Sequence, residues 1–284
     1  GQQKRLVFSG DIGRKNLPIL RDPQPVEGAD FIIMESTYGQ RYHESPGQAR
    51  ADLKQAVREA VDRNGKVIIP SFAVGRTQEI VYGLHQLLES QEIPEIDIFV
   101  DSPLAVNASD IFRAHPEVFD QETKDFIAQD KHRSALGFNR LTYTRSVEES
   151  KAINDLKGPA IIISASGMAE VGRILHHLKN NIENPNNTIL IVSWQAPHTL
   201  GRRLADQEKE IRIFGKKYFR RAEVVTINGF SAHADQDGII KWISKMEDLY
   251  RVYLIHGEED KQVILRSVID NALGKKAHIV EPEE

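Results

Sequence analysis

Four residues sit where apolar runs give way to small or polar ones: Asp11 in FSGDIGR, Glu35 in FIIMESTYG, His233 in GFSAHADQDG and His256 in YLIHGEED. Glycine, alanine or serine stands beside or near each of them, and small residues let the backbone pass close to a ligand. Asp11, in a glycine turn, offers two oxygens and suits a metal bridge. A carboxylate at a strand end, as Glu35 is read, orients a histidine or binds a metal. His233 is of the type that gives a proton to a leaving group near neutral pH. His256 follows a hydrophobic run directly, a common setting for a metal ligand. Taken singly, each also reads as a turn acid or a structural histidine. Together, the four could meet at one sheet edge. No GxSxG elbow is present, which disfavours a nucleophilic serine.

Two further stretches read as phosphate sites. SFAVGRTQE joins a glycine turn, Arg76 and a helix start, and ISASGMAEVGRILHHLKN joins Ser164, Ser166 and Gly167 to Arg173, His176, His177 and Lys179. Amides at a helix N-terminus favour an anion, and arginines add charge-assisted contacts. A strand–helix turn with a solvated arginine is the plainer alternative. Neither stretch is a Walker loop or a dinucleotide fingerprint. Arg202–Arg221 carries eight basic and three acidic residues, interleaved with Phe214, Tyr218 and Phe219. It reads either as a track for a phosphodiester backbone with rings for stacking or as a solvated edge.

Elements that alternate strand and helix must position these residues. FIIME, KVIIP, EIDIFVDSP, AIIISASG and TILIVSW are short runs rich in β-branched residues, as parallel strands covered on both faces require. KQAVREAVDRNG predicts a helix closed by Gly65. Ala105–Glu149 is more helical, and EIRIF, EVVTING and YRVYLIHG are strands. DQDGIIKWISKM predicts a helix capped by Asp235 or Asp237. One α/β cassette, about Tyr38 to Ile227, is thus expected between two pieces of another domain. The 284 residues hold 37 basic and 41 acidic side chains, a net charge of -4, so nucleic acid would need a local basic patch. Without cysteine, disulfides and thiolate metal sites are excluded, and a metal must take His, Asp or Glu. No run approaches membrane-spanning length, and a cytoplasmic location is the default expectation.

The ordered set FSGDIG, ESTYG, PSFAVGRTQE, DSPLA, SASGM followed by GRILHHL, WQAPHTLGRRL, GFSAHADQ and LIHGE resembles the β-CASP branch of the metallo-β-lactamase superfamily. The likeness covers essentially the whole chain. It is closest to the prokaryotic RNA-processing members, which are related to the cleavage nuclease of messenger-RNA 3′ processing. The resemblance implies an α/β fold in which a β-CASP parallel-sheet cassette is inserted in a metallo-β-lactamase αββα fold, the latter only partly present. The implied segments are 1–37 (partial metallo-β-lactamase domain), 38–227 (β-CASP domain) and 228–284 (return to the first domain). It implies zinc, two ions per complete active site, with Asp11 as the bridging ligand and His256 as the last histidine ligand. His233 becomes the acid that protonates the leaving oxygen, Glu35 its orienting partner, and the Ser166–Gly167 turn with nearby arginines part of the substrate phosphate site. A histidine at position 256 favours the RNA-directed members over the DNA-repair branch.

The family's HxHxDH motif, which normally precedes the FSGD segment, does not occur in this sequence. The chain is therefore expected to be the later part of a longer enzyme. The expected function of that parent is zinc-dependent hydrolysis of single-stranded RNA. The alternative, suited to this chain alone, is a non-catalytic RNA-binding or assembly module. A homodimer is compatible with either reading, and a membrane partner with neither. A Rossmann-like nucleotide-binding protein would give His256 no role, and the ordered motif set argues against it.

Overall fold

The computed structural model describes residues 3–280; residues 1–2 and 281–284, the extremes of the first and last expected segments, lie outside them. The chain divides into two compact units: one of Gly1–Leu17, Arg21–His43 and Ser231–Glu284, the other of Pro18–Leu20 and Glu44–Phe230. It opens in the first unit with strands β1 (Leu6–Phe8) and β2 (Phe31–Glu35).

The second unit follows with α1 (Pro46–Asp62), β3 (Val67–Pro70), α2 (Arg76–Glu89), β4 (Asp97–Val100), α3 (Pro103–Ala114), α4 (Gln121–Gln129), β5 (Leu141–Tyr143), α5 (Val147–Ala152) and β6 (Ala160–Ser164). It continues with α6 (Ile174–Asn181), β7 (Thr188–Ile191), α7 (Leu200–Ala205), β8 (Glu210–Ile213), β9 (Lys216–Phe219) and β10 (Glu223–Thr226). Six of these strands form one parallel sheet in the order β10-β7-β3-β6-β4-β5. Alternating residues of β3 explain the continuous apolar runs. Val67 and Ile69 enter one core with Leu53, Val57 and Leu84 of α1 and α2. Ile68 enters another with Ile174, Leu178 and Leu204 of α6 and α7. A strand covered on both faces has no polar side to show.

Three local expectations change. Helix α1 begins earlier than Lys54, because Ser45 Oγ accepts the Gln48 amide (3.2 Å) and Pro46 starts the helix. At its other end Asn64, not Gly65, takes the left-handed conformation, with φ 55°. Within the helical stretch Ala105–Glu149, Leu141–Tyr143 extends the sheet as an edge strand. β8 and β9 form a separate antiparallel ribbon, and EVVT joins the large sheet beside β7.

The chain then completes the first unit with α8 (Gln236–Ile243), β11 (Arg251–Ile255), α9 (Glu259–Leu273) and β12 (Lys276–Ile279). Its four-stranded sheet, β1-β2-β11-β12, is also parallel. Its core joins Ile32 and Met34 to Val252 and Leu254, covered by Ile239, Ile243, Leu265 and Ile269 of the two helices. Asp235 is the cap of α8: its Oδ1 accepts the Gly238 amide at 2.9 Å.

Candidate active site

Strand register in the first unit's sheet sets its candidate residues side by side. β2 and β11 pair so that Glu35 lies opposite Ile255, one residue before His256. β1 pairs with β2 through Phe8 and Ile33, so Asp11 leaves the same end of the sheet three residues later. Carboxyl ends of parallel strands are where open α/β sheets hold ligands. His233 is brought in by a short backbone bridge to Gly13. In it the Arg14 amide donates to Ala232 O (2.9 Å) and the Ala234 amide to Ile12 O (2.7 Å).

Glu35 is buried, and both of its oxygens are engaged. Oε1 accepts the Ile12 amide, and Oε2 lies 2.8 Å from His233 Nδ1. Burial pushes its carboxyl up. Hydrogen bonds from His233 and Thr37, the charge of His233 and the Ile12 amide outweigh that and hold it below its usual range. An ionised carboxylate only accepts, so Nδ1 of His233 carries the proton in this pair. Asp11 and His256 are mostly exposed, with His256 Nδ1 3.6 Å from Asp11 Oδ1. The rings of His233 and His256 are centred 6.2 Å apart. Ligand atoms of Asp11, Glu35 and His233 lie within 4.8 Å of one another. The four residues singled out from sequence therefore converge. Because Glu35 spends its oxygens on protein donors, Asp11 and His256 are the part of the cluster that could hold a metal. A carboxylate oxygen and an imidazole nitrogen are both ordinary zinc donors.

Several supporting residues were not visible as such in the sequence. Ser36 Oγ donates to Ile255 O (2.8 Å) and Thr37 Oγ1 to His256 O (3.3 Å), tying β2 to the end of β11. Gly257 permits this approach, since a Cβ there would stand 2.3 Å from Ser36 Oγ. Tyr38 sets its ring edge-on to His43 (4.6 Å) and 6.0 Å from His233. The His43 amide donates to Asp235 Oδ2 (2.9 Å), so the cap of α8 also anchors the segment leaving β2. Burial, aided by the Arg14 charge, holds the His43 imidazole below its usual range.

In the second unit, the residues read as phosphate contacts lie at the end of β6 and in the turns and helices that follow β3 and β6, and Arg76, Ser164 and His177 are buried. Arg76 is buried, paired with Glu79 and set over the Phe230 ring at 5.8 Å. Ser164 Oγ donates to Asp101 O (2.7 Å). Asp101, fully buried just after β4, accepts from Thr144 Oγ1 (2.5 Å), Ser150 Oγ (2.6 Å) and Arg173 Nη1 (2.7 Å), with His177 Nε2 at 2.6 Å. These bonds outweigh burial and hold its carboxyl far below the usual range. Arg76, Ser164 and His177, read from the sequence as phosphate contacts, are thus buried, with Arg76 on Glu79, Ser164 on the Asp101 carbonyl and His177 Nε2 on the Asp101 carboxylate. Arg173 keeps 20% of its side chain exposed. Ser166 Oγ accepts the Glu170 amide (3.2 Å), and Gly167 packs under the Phe72 ring, where a Cβ would meet it at 2.8 Å.

A second group, His85, Glu89 and Asp130, also has ligand atoms within 4.8 Å of one another. There Lys131 neutralises Glu89 (3.0 Å), and Asp130 Oδ2 accepts the His132 amide (2.9 Å). No helix among the described residues is long and apolar enough to cross a membrane.

The sequence is similar to known domain families and proteins. The Beta-Casp domain family matches residues 77–204. The Zn-dependent metallo-hydrolase RNA specificity domain matches 218–280. Ribonuclease TTHA0252 of Thermus thermophilus is 35% identical over 270 residues, covering 95% of this chain and 61% of the relative. An RNase J-like protein of Methanocaldococcus jannaschii is 31% identical, covering 90% and 58%. Transcription termination factor FttA of Methanosarcina mazei is 30% identical, covering 93% and 42%. The chain thus spans between 42% and 61% of these relatives' lengths. Its domain matches and these relatives together show that the chain belongs to the β-CASP family of the metallo-β-lactamase superfamily.

Proposed function

We propose that the full-length protein hydrolyses phosphodiester bonds of single-stranded RNA with the help of zinc. In this reading a β-CASP cassette, residues 38–227, is inserted in a metallo-β-lactamase αββα domain. The observation that carries the proposal is the Glu35–His233 couple at 2.8 Å beside the exposed Asp11–His256 pair at 3.6 Å. Asp11 and His256 would hold zinc, which when bound supplies Lewis-acid chemistry at the phosphoryl group.

The chain's own residues handle the proton. Glu35, kept ionised by its donors, fixes the imidazole of His233 through Nδ1. That directs Nε2 of the imidazolium toward the departing ribose oxygen, to which it gives its proton. The Ser166–Gly167 turn, with Arg173 at its flank, would steady a neighbouring phosphate.

The test is single-turnover cleavage of a labelled single-stranded RNA by the full-length protein and its His233→Ala variant. Loss of about 10²–10⁴-fold in the cleavage rate, with RNA affinity retained, is expected. Unchanged cleavage would remove His233 from the acid role, and absence of cleavage by the parent with zinc present would leave an RNA-binding module.

A further inference from the structure

The basic, aromatic stretch ending at Arg221 is absorbed by none of the chemistry above. In the structure it becomes a two-stranded ribbon with two unlike faces. Ile211 and Ile213 are buried in the core beneath, with Tyr218 packed against them. Strand alternation turns Glu210 and Arg212 the other way, and Phe214 follows in the turn between the two strands. The register pairs Arg212 with Lys217 and Glu210 with Phe219, so Lys217 and Phe219 share that outward face. Phe214 is 54% exposed and Phe219 60%. One phenyl ring thus lies open on a face that also carries a guanidinium and an ammonium group, and a second lies open at the tip of the ribbon.

The charge is concentrated here and largely uncompensated. Residues 209–221 hold six basic side chains and one acidic one, in a chain whose net charge is -4. Lys217 pairs with Glu210 at 2.8 Å. Lys209, Arg212, Lys216 and Arg221, all exposed, make no ion pair within 4 Å among the described residues. The turn adds an independent observation. Phe214 and Gly215 both have positive φ, 50° and 76°, the conformation of a two-residue hairpin turn in which asparagine or aspartate before glycine is the preferred choice. A bulky residue is disfavoured there, and burial does not compensate, because more than half of the ring remains in solvent. Among the described residues its ring lies beside that of His176 of α6, at 4.8 Å between centroids.

We infer that the outward face of the β8–β9 ribbon, with Phe214 at its tip, Phe219 and the cations around them, is a contact surface for single-stranded RNA. The inference rests on the RNA reading above and adds a place where the strand is held. Exposed rings interleaved with free cations match what a single strand presents, bases for stacking and phosphates between them. A protein-docking patch favours aromatic and arginine residues too but is depleted in lysine, and residues 209–221 carry three.

The experiment measures binding of a fluorescein-labelled 20-nucleotide oligouridylate to the full-length protein by anisotropy across a potassium chloride series. His233→Ala is present throughout to prevent turnover. Two further variants are compared with that parent. Phe214→Asn with Phe219→Thr removes both rings while suiting the turn and the strand. Arg212→Gln with Lys217→Gln removes the two cations of that face. The ring variant is expected to bind about 10-fold more weakly or worse at every salt concentration, with the salt dependence unchanged. The charge variant is expected to lower the slope of log K against log salt by about 1.4. RNA binding by the parent that both variants retain within about twofold, on the measured scale of a stacking contact, overturns the inference and leaves the rings to a protein partner. No RNA binding by the parent overturns the RNA reading itself, and the inference with it.

Discussion

At the residue scale, one carboxylate organises the second unit's strand ends. Asp101 draws Thr144, Ser150, Arg173 and His177 around two oxygens with no exposed surface. Asp101→Asn places an amide against donors that need an acceptor. It is expected to destabilise the protein by about 3–5 kcal/mol, the range for breaking a buried charged pair, measured by urea unfolding at neutral pH. Because the folded carboxyl is held below its ordinary value, its contribution is complete above about pH 4, where the unfolded group is already ionised. It is lost as pH falls from there through the folded value. The stability difference between parent and variant should therefore shrink on acidification; a constant difference would remove the ionised carboxylate from the account. Asp11, Glu35, His233 and His256 are legible one by one as polar residues at the ends of apolar runs. Asp101 is visible only as part of DSPLA, because nothing in a linear pattern records how many donors will surround a side chain.

At the element scale, glycines separate into those required by conformation and those required by space. Gly65 reads in the sequence as the helix cap, yet Asn64 takes the left-handed position. What requires Gly65 is the neighbouring chain, since a Cβ there would stand 1.8 Å from the carbonyl oxygen of Asn186. Gly274, the residue that ends α9, has φ 61°, and a Cβ added to it would meet nothing within 4 Å. Gly65→Ala is therefore expected to cost about 1–3 kcal/mol or more through overpacking. Gly274→Ala should cost only about 1 kcal/mol, through conformation alone. Denaturant midpoints of the two variants check the order; equal midpoints would mean the Asn186 backbone yields freely. The ribbon is half legible in the same way. EIRIF reads as a strand by alternation, but KKYF has no apolar period and becomes a strand only through its pairing with β8.

At the scale of the whole molecule, two parallel sheets differ in how deeply their strands are held. In the six-stranded sheet β3 and β6 lie inside and are buried at every position, whereas β1 of the four-stranded sheet is an edge with Leu6 and Phe8 exposed. Amide hydrogen exchange should accordingly be slowest at Ile68, Ile69, Ile162 and Ile163 and fastest among the strands at β1 and β12; a protected β1 would contradict this. The amino-acid sequence by itself determined the α/β class, the parallel character of the buried strands and the position of four polar residues at the ends of apolar runs, which the structure brings together. Those follow from apolar period, turn chemistry and ordered motifs, all local in the chain. Tertiary structure alone decided that Glu35 would spend both oxygens on Ile12 and His233, leaving Asp11 and His256 facing each other. It alone turned Arg76, Ser164 and His177 inward while the ribbon's rings and cations stayed outside. Pairing register and burial depend on residues far apart in sequence, and it is burial that decides whether a charged side chain meets a partner or the solvent.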